Sequence, residues 1–281
     1  MFKNVPSLRS VATAGLVFGA LSQLPAQATL PPAAMLAVGC EWVKPGMGQA
    51  HDQHEERWAR ATEAVKGFAP SLAVQSTTGQ AVTCWLTSVT SFDQLGRNGD
   101  LYAKDPAYAA AMPSLVGTDA KFISDARNFV AILRPDLSAG EMPNVLTRRV
   151  MNWGEWRIRF GTEPAFVAAL KAYTAAATRA GTRPEFRVYQ VLHGAPGVTF
   201  WILSSQATMA GFDAAMANDP KIAAAYTPED LKKFDEASTK SVVSINSNLW
   251  AYSSAQSALH AEQRASDPFW KLKPKATPKK P

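Results

Sequence analysis

The sequence has few of the residues that mark familiar catalytic centres. Two cysteines and four histidines occur in 281 residues, too few for a cysteine-rich zinc module or a disulfide-dense scaffold. Glycine-rich phosphate loops, a G-x-S-x-G nucleophile turn and paired zinc cysteines are absent from the sequence. Any chemistry must therefore come from residues that the fold brings together.

Long apolar runs are also scarce. The longest, residues 11–24, follows Lys3 and Arg9 and precedes Ala26-Gln27-Ala28, the small-x-small pattern of a signal-peptidase site. It is shorter than the roughly 20 residues that a membrane span needs. We expect residues 1–28 to be a cleaved secretory signal rather than an anchor, which makes the mature protein secreted or periplasmic, with no transmembrane span.

Excess positive charge is confined to the C-terminus. The formal net charge is +6. Lys3 and Arg9 would be removed with the signal, and from Arg264 onward the sequence has six basic residues and one acidic residue, Asp267. The body of the protein is thus close to neutral, which does not favour a nucleic-acid groove. Residues 255–281 are expected to form a basic, Pro/Lys-rich tail, solvated from Ser266 onward, although Phe269 and Trp270 could dock on the body.

The chain contains an internal repeat. Residues 184–205 are typical of two strands joined by a turn at 194–197, and residues 71–90 repeat the pattern. Three pairs of residues lie 115 positions apart: Gln75 and Gln190, Gly79 and Gly194, Trp85 and Phe200. A constant spacing across separate elements indicates two similar halves.

Each half is predicted to have the order β-α-β-β-α-β. In the first half the strand 36–43 precedes a helix at 49–68, the hairpin, helical segments at 105–112 and 118–126, and a strand at 128–133. The second half has strands at 152–160 and 249–252, a helix begun by Thr162 and another at 227–240. The predicted boundaries are 35–137 for the first repeat, 138–149 for a linker and 150–254 for the second repeat. This is the ferredoxin-like plan.

Both faces of the predicted sheet require burial. Along residues 199–203, Phe200 and Ile202 point one way while Trp201 and Leu203 point the other. Helices of one half can cover only one face, so the second half must cover the other. The fold class is therefore α+β, with tandem ferredoxin-like βαββαβ repeats whose antiparallel sheets pack into one pseudo-twofold α+β barrel.

With its element order, its repeat and the turn Val43-Lys44-Pro45-Gly46 before a helix carrying Trp58, the chain resembles the dimeric α+β barrel superfamily. That superfamily includes antibiotic-biosynthesis monooxygenase-like and NIPSNAP-like proteins. Residues 158–161 of the second half keep only Gly161 of this turn. The resemblance implies a cleft for a small molecule, either haem or no cofactor, and a possible homo-oligomer. No set of catalytic residues can be carried over position by position.

The two cysteines fall on predicted strands that this fold makes neighbours. In an exported protein, Cys40 and Cys84 could form a disulfide. Alternatively, they could remain two buried thiols.

The most suggestive polar group is His51, His54 and Glu55. Spacings of three and four place them on neighbouring positions of one helix, where they could bind a metal, exchange protons or line a pocket. They could equally form a solvated helix face. Spacing assigns no further ligand, so no metal site is predicted. In the repeat, His51 corresponds to Phe166 and Glu55 to Leu170, which favours a functional difference between the halves.

The remaining candidates are amides and aromatic rings. Gln75 and Gln190 lie among apolar strand residues, where each must be hydrogen-bonded within the protein or to a ligand. Trp58, Trp85, Tyr173, Phe200 and Trp201 could line a cleft or belong to the core, and His193 at the hairpin tip should be exposed. The predicted ligand-binding residues are His51, His54, Glu55, Trp58, Gln75, Trp85, Tyr173 and Gln190.

These observations predict an exported protein that binds a small apolar or aromatic ligand in a barrel cleft between helices and sheet. One alternative is a cofactor-independent monooxygenase or a haem-binding or haem-degrading enzyme in the same cleft. A structural envelope protein is the third possibility. Ionisable residues on one helix face favour the first two, since a purely structural fusion does not need them.

Overall fold

The computed structural model describes residues 28–141 and 143–272. All of the predicted signal except Ala28 therefore lies outside the described residues, as does the end of the tail. Eight strands run through the described part: β1 (Met35–Val43), β2 (Ser71–Ser76), β3 (Val82–Val89), β4 (Ile123–Leu133), β5 (Val150–Ile158), β6 (Arg187–His193), β7 (Val198–Gln206) and β8 (Val242–Ala258). The helices are α1 (Gly48–Ala64), α2 (Phe92–Lys104), α3 (Pro106–Asp119), α4 (Glu163–Arg179), α5 (Ala210–Met216), α6 (Asp219–Ala224), α7 (Pro228–Glu236) and α8 (Ala261–Ala265).

The strands form one closed barrel in the order β1-β3-β2-β8-β5-β7-β6-β4. Every pairing is antiparallel. Strands of the first half are contiguous in the order β4-β1-β3-β2, and those of the second half in the order β8-β5-β7-β6. The halves join where β2 pairs with β8 and where β4 pairs with β6. The fold is thus α+β, with the helices outside a closed antiparallel barrel.

Strand alternation divides the side chains between the barrel interior and the outer surface. Trp201 is buried in the interior, while the adjacent Phe200 is buried outside against Phe166 of α4. The prediction that both faces of this strand are buried is confirmed. The interior core draws on β1–β8, and Leu146 and Trp270 from outside the strands pack with it.

A disulfide joins two strands inside the barrel. Cys40 of β1 lies directly opposite Cys84 of β3, and the two are bridged with a Cα–Cα distance of 4.1 Å. Both residues are buried in the interior core. Of the two alternatives left by the sequence, the structure has the bridge.

Several predicted boundaries are wrong. The helical segment at 118–126 is the last turn of α3 followed by the start of β4, because Ile123 onward pairs with β1. The final strand is 17 residues long rather than four, since Val242 onward pairs with β5. In both places the partner strand, rather than the local pattern, decides the conformation.

The solvated tail predicted from Ser266 is also wrong for part of its length. Residues 268–270 form a 3₁₀ turn, and Trp270 is 0% exposed. Its indole Nε1 donates to the Leu146 carbonyl at 2.7 Å, and its ring packs edge-on against Tyr252. The gain from burying an indole with its N–H satisfied holds this segment on the barrel.

Candidate functional site

A buried group of ionisable side chains lies between α1 and the outer face of the barrel. It consists of Glu41, His51, Glu55 and Asp119, whose ligating atoms all lie within 4.8 Å of one another. We call these four residues the polar cluster. They come from three separate elements, β1, α1 and the C-terminal residue of α3.

Local geometry explains how the residues meet. Cys40 and Trp42 line the barrel interior, so the intervening Glu41 points outward toward α1. His51 and Glu55 are four residues apart and share the face of α1 that packs on the sheet. Asp119 ends α3, which packs against α1.

The polar cluster is almost sealed from solvent. His51 is 0% exposed, Glu55 4% and Asp119 5%, whereas the Glu41 side chain is 17% exposed. His51 Nε2 donates to Glu41 Oε2 at 3.0 Å. Glu41 therefore forms the edge through which the cluster meets solvent.

The cluster carries more hydrogen-bonding capacity than the protein satisfies. His51 Nδ1, Glu55 Oε1 and Asp119 Oδ1 are buried without a hydrogen-bond partner. Among residues 28–141 and 143–272, no ion pair joins a lysine or arginine to Glu41, Glu55 or Asp119. Unpartnered buried polar atoms are costly, so their convergence on one spot requires a compensating group.

The acidic groups respond to this environment. Burial raises the pKa of Glu55 to about 9, and the nearby Glu41 and Asp119 carboxylates add to the rise. Burial, then the charge of Glu41, raises the pKa of Asp119 to about 6, against an opposing effect of His51. In the absence of a cation, these carboxyl groups keep their protons to higher pH, which limits the negative charge of the cluster.

His54 flanks the polar cluster. Its Nδ1 accepts a hydrogen bond from Arg57 at 3.2 Å, which leaves the proton of the neutral imidazole on Nε2. That Nε2 lies 3.7 Å from Glu55 Oε1. Burial, followed by the charge of Arg57, lowers the pKa of His54, in keeping with a neutral ring.

Helix α1 is fixed to the barrel beside His51. Asp52 Oδ1 accepts hydrogen bonds from Gln75 of β2 at 2.6 Å and from Gln256 of β8 at 2.7 Å. Gln75, a predicted ligand-binding residue, therefore holds the helix. Trp58, another, donates to the Tyr108 hydroxyl at 3.1 Å and contacts His54 edge-on.

The second half has an apolar counterpart of the polar cluster. The residues 115 positions after Glu41, His51 and Glu55 are Trp156, Phe166 and Leu170. All three belong to the core beneath α4, where Trp156 and Phe166 stack with ring centroids 5.7 Å apart. The space between helix and sheet is thus occupied by apolar side chains in the second half and by ionisable side chains in the first.

The other predicted residues lie apart from one another. Trp85 is half-buried with its ring centroid 6.3 Å from that of His51. Tyr173 packs on Phe186 beneath α4. Gln190 accepts a hydrogen bond from Arg134 at 2.9 Å, and His193 is exposed as expected.

Two residues of the cluster were missed by sequence reasoning. Glu41 had a detectable signal, because it is the one charged residue of strand 36–43 and its counterpart is Trp156. Asp119 had none, since it fell inside a segment predicted as helix. Its position depends on where α3 ends against α1.

Comparison with known proteins shows similarity at the level of fold. No protein-family model and no curated protein matches the chain. An anthrone oxidase-like protein of solved structure superposes with a TM-score of 0.51 at 12% identity, over 78% of this chain and 91% of that one. The chain has the dimeric α+β barrel fold. Here one chain closes the barrel.

Two further solved structures superpose less closely. One is a proposed monooxygenase from Lactobacillus acidophilus, with a TM-score of 0.46 at 9% identity over 78% of this chain and 94% of that one. Another is a mutant chlorite dismutase from Candidatus Nitrospira defluvii, with a TM-score of 0.47 at 8% identity over 79% and 92%. At these identities the likeness concerns the barrel alone. None of the helices in the described residues is long and apolar enough for a membrane span.

Haem, which the resemblance implied, commonly takes its iron ligand from a histidine, and two cavities lie in the described part of the chain. Neither cavity is lined by a histidine. His51 and His54 lie in the tightly packed polar layer under α1, with His51 Nε2 bonded to Glu41. His193 packs on Phe92, and His260 on Phe68.

Proposed function

We propose that this protein binds one divalent transition-metal ion in the polar cluster, and that this metal centre is its functional site. The observation that carries the proposal is the convergence of three carboxylates and one imidazole, nearly sealed from solvent, with three of their polar atoms unpartnered. A divalent cation supplies the compensation that no lysine or arginine of the described residues provides. It also replaces the protons that the buried acids otherwise retain.

The donor set favours particular metals. Imidazole suits zinc, iron, nickel and copper, while carboxylate oxygens suit manganese, magnesium and calcium. One nitrogen with three oxygens therefore points to Mn²⁺, Fe²⁺ or Zn²⁺. A metal held there would act as a Lewis acid toward a bound water or substrate oxygen. Glu41 marks the side from which a small molecule would approach, because it alone of the four is partly exposed.

His54 and Asp52 act as positioning residues in this proposal. Nε2 of His54 lies 3.7 Å from Glu55 Oε1, and Asp52 anchors the helix turn that carries His51. Support of this kind around the ligands orients them and tunes their affinity. Gln75 belongs to the same supporting layer.

This assignment changes the ligand expected for the helix–sheet cleft. The cleft under α1 is polar and packed, so a small apolar ligand does not suit it. Haem chemistry has no fitting histidine, and a cofactor-independent oxygenase would leave the buried carboxylates without a role. A purely structural envelope protein would have no use for them either.

The wider organisation is also proposed. We infer that the halves are tandem ferredoxin-like repeats of the monooxygenase-like and NIPSNAP-like type, supported by the matching strand orders β4-β1-β3-β2 and β8-β5-β7-β6. We propose export as well, with residues 1–28 as the signal. The Cys40–Cys84 bridge supports export, since disulfides persist in oxidising compartments.

Metal analysis of the purified protein tests the proposal. The chain is stripped with EDTA, dialysed, and titrated calorimetrically with Mn²⁺ and with Zn²⁺, and elemental analysis of the unstripped protein identifies the native metal. We expect one ion per chain and a loss of at least a hundredfold in affinity for His51→Ala and for Glu55→Gln.

Glu56→Gln is the matched control. Glu56 is the next residue of α1 and lies outside the polar cluster, so this variant should bind as the parent does. Absence of stoichiometric binding, or equal affinity of the Glu55→Gln and Glu56→Gln variants, would show that the proposal is wrong.

A further inference from the structure

The barrel interior contains a cavity, which lies on the opposite side of β1 from the polar cluster. It has a volume of about 310 Å³, at the lower end of the range for small-molecule sites. Trp42 lines it, whereas the adjacent Glu41 belongs to the polar cluster. The cavity lies inside the barrel, and the polar cluster lies on its outer face.

The walls of this cavity are unusually rich in indole rings. Trp42, Trp153, Trp201 and Trp250 all line it. Trp153 touches both Trp201 and Trp250, with centroid separations of 4.8 Å and 5.3 Å, so these three rings form one continuous wall. Such rings attract cations through the negative potential of their faces.

Among the described residues, one charged side chain lines the cavity, and it is an acid. Glu155 is held there by the Trp201 indole, whose Nε1 donates to Glu155 Oε2 at 3.2 Å. The other lining residues are uncharged, including Asn246 and Asn248 at the rim. An aromatic wall with a single carboxylate is complementary to a positive ligand.

One cation already lies over an indole that lines the cavity. The guanidinium of Arg127 lies 4.8 Å from the ring centroid of Trp42. Its charge is balanced by Asp125, 2.8 Å away. Glu155 and the three contiguous rings deeper in the cavity are left for a ligand.

We propose that this cavity binds a small organic cation, a substituted ammonium. The rings surround the ammonium, and Glu155 supplies the opposing charge. The inference does not depend on the metal centre.

Choline and its uncharged isostere 3,3-dimethyl-1-butanol separate charge from shape. Binding to the whole mature protein is measured by calorimetry and by tryptophan fluorescence, with EDTA present so that the polar cluster is metal-free. We expect choline to bind at least tenfold more tightly than the alcohol. Glu155→Gln should weaken choline binding at least tenfold and leave alcohol binding unchanged.

Glu262→Gln is the control for net charge, because Glu262 is exposed and does not line the cavity. It should bind choline as the parent does. Circular dichroism and thermal unfolding check that Glu155→Gln remains folded. Equal affinity for choline and the alcohol, no binding of either, or a folded Glu155→Gln variant with unchanged choline affinity would each overturn the proposal.

Discussion

Residues of the polar cluster lower the stability of the fold by being buried, and the same residues are the ones that could bind a metal. Glu55 is buried with an unpartnered oxygen, and an ionised carboxylate in that position is expensive. Sequence reasoning reached His51 and Glu55 because a helix spacing puts them on one face and their repeat counterparts are apolar. It could not reach Asp119, whose contact with α1 depends on tertiary packing rather than on any local pattern.

The pH dependence of the metal-free protein follows from Glu55. Its pKa is raised from about 4.5 to about 9, so its contribution to stability is fully present below 4.5 and is lost as the pH rises through 9. Asp119, raised to about 6, adds a loss that ends near pH 6. Between pH 6 and 9 we expect the free energy of unfolding to fall by roughly 1 kcal/mol per pH unit.

Chemical denaturation of EDTA-treated protein at several pH values measures this slope. Glu55→Gln should flatten it between pH 6 and 9, and Glu56→Gln should not. Equal slopes for Glu55→Gln and the parent would contradict a buried neutral Glu55.

At the scale of elements, the order of the strands could be read from the sequence, but their lengths could not, and helices α2, α5 and α8 were missed. Alternation gave β1 and the two hairpins, because each has one face in the barrel core. The first seven residues of β8, Val242 to Asn248, give no such pattern, since five of them are exposed. They are strand because β5 pairs with them.

The β6–β7 hairpin turn depends on Gly194 for two reasons. Its φ is +93°, and a Cβ there would collide with the Asn128 carbonyl oxygen and the Phe129 ring of β4. Gly197 in the same turn has φ +80° but open space around a Cβ. Gly197→Ala should therefore cost about 1 kcal/mol, and Gly194→Ala clearly more.

Thermal and urea unfolding of both variants measures the difference. Since the two glycines share the left-handed conformation, the excess loss in Gly194→Ala isolates the close approach of the hairpin to β4. Equal destabilisation of the two variants would mean that the hairpin does not press on β4.

The C-terminal segment is a third element whose role emerges only from packing. Trp270 is fully buried and bonded to Leu146, so Trp270→Ala should destabilise the protein by about 3–5 kcal/mol. Leu272→Ala is the control, because Leu272 is 40% exposed. Urea denaturation of both variants checks this, and a loss below 1 kcal/mol for Trp270→Ala would show that docking of this segment does not stabilise the barrel.

The whole molecule places its two proposed sites on opposite faces of one strand. Glu41 faces α1, and Trp42 faces the cavity. The barrel that separates them exists only because both halves contribute four contiguous strands. The internal repeat and the burial of both strand faces predicted from the sequence that the two halves pack together. The pairing of β2 with β8 and of β4 with β6 could be seen only in the structure.

Closure makes each half dependent on a partner. Alone, residues 28–141 would expose the inner face, including Val38, Val74 and Phe129, and would leave β2 and β4 as open edges. Because each buried large side chain contributes roughly 1.5–3 kcal/mol, the fragment should not persist as a folded monomer. Two copies can close a barrel by pairing β2 of one with β4 of the other, the arrangement that β8 and β6 provide in the full chain.

Light scattering after size exclusion tests this on the fragment 28–141, alone and co-expressed with 143–272. We expect a homodimer or aggregate from the fragment alone and a 1:1 complex on co-expression. Val74→Asp, which puts a charge on the inner face, should abolish both assemblies. A soluble, cooperatively folded monomer of 28–141 would show that a half can satisfy its own inner face, and the closed barrel would then not be what stabilises the fold.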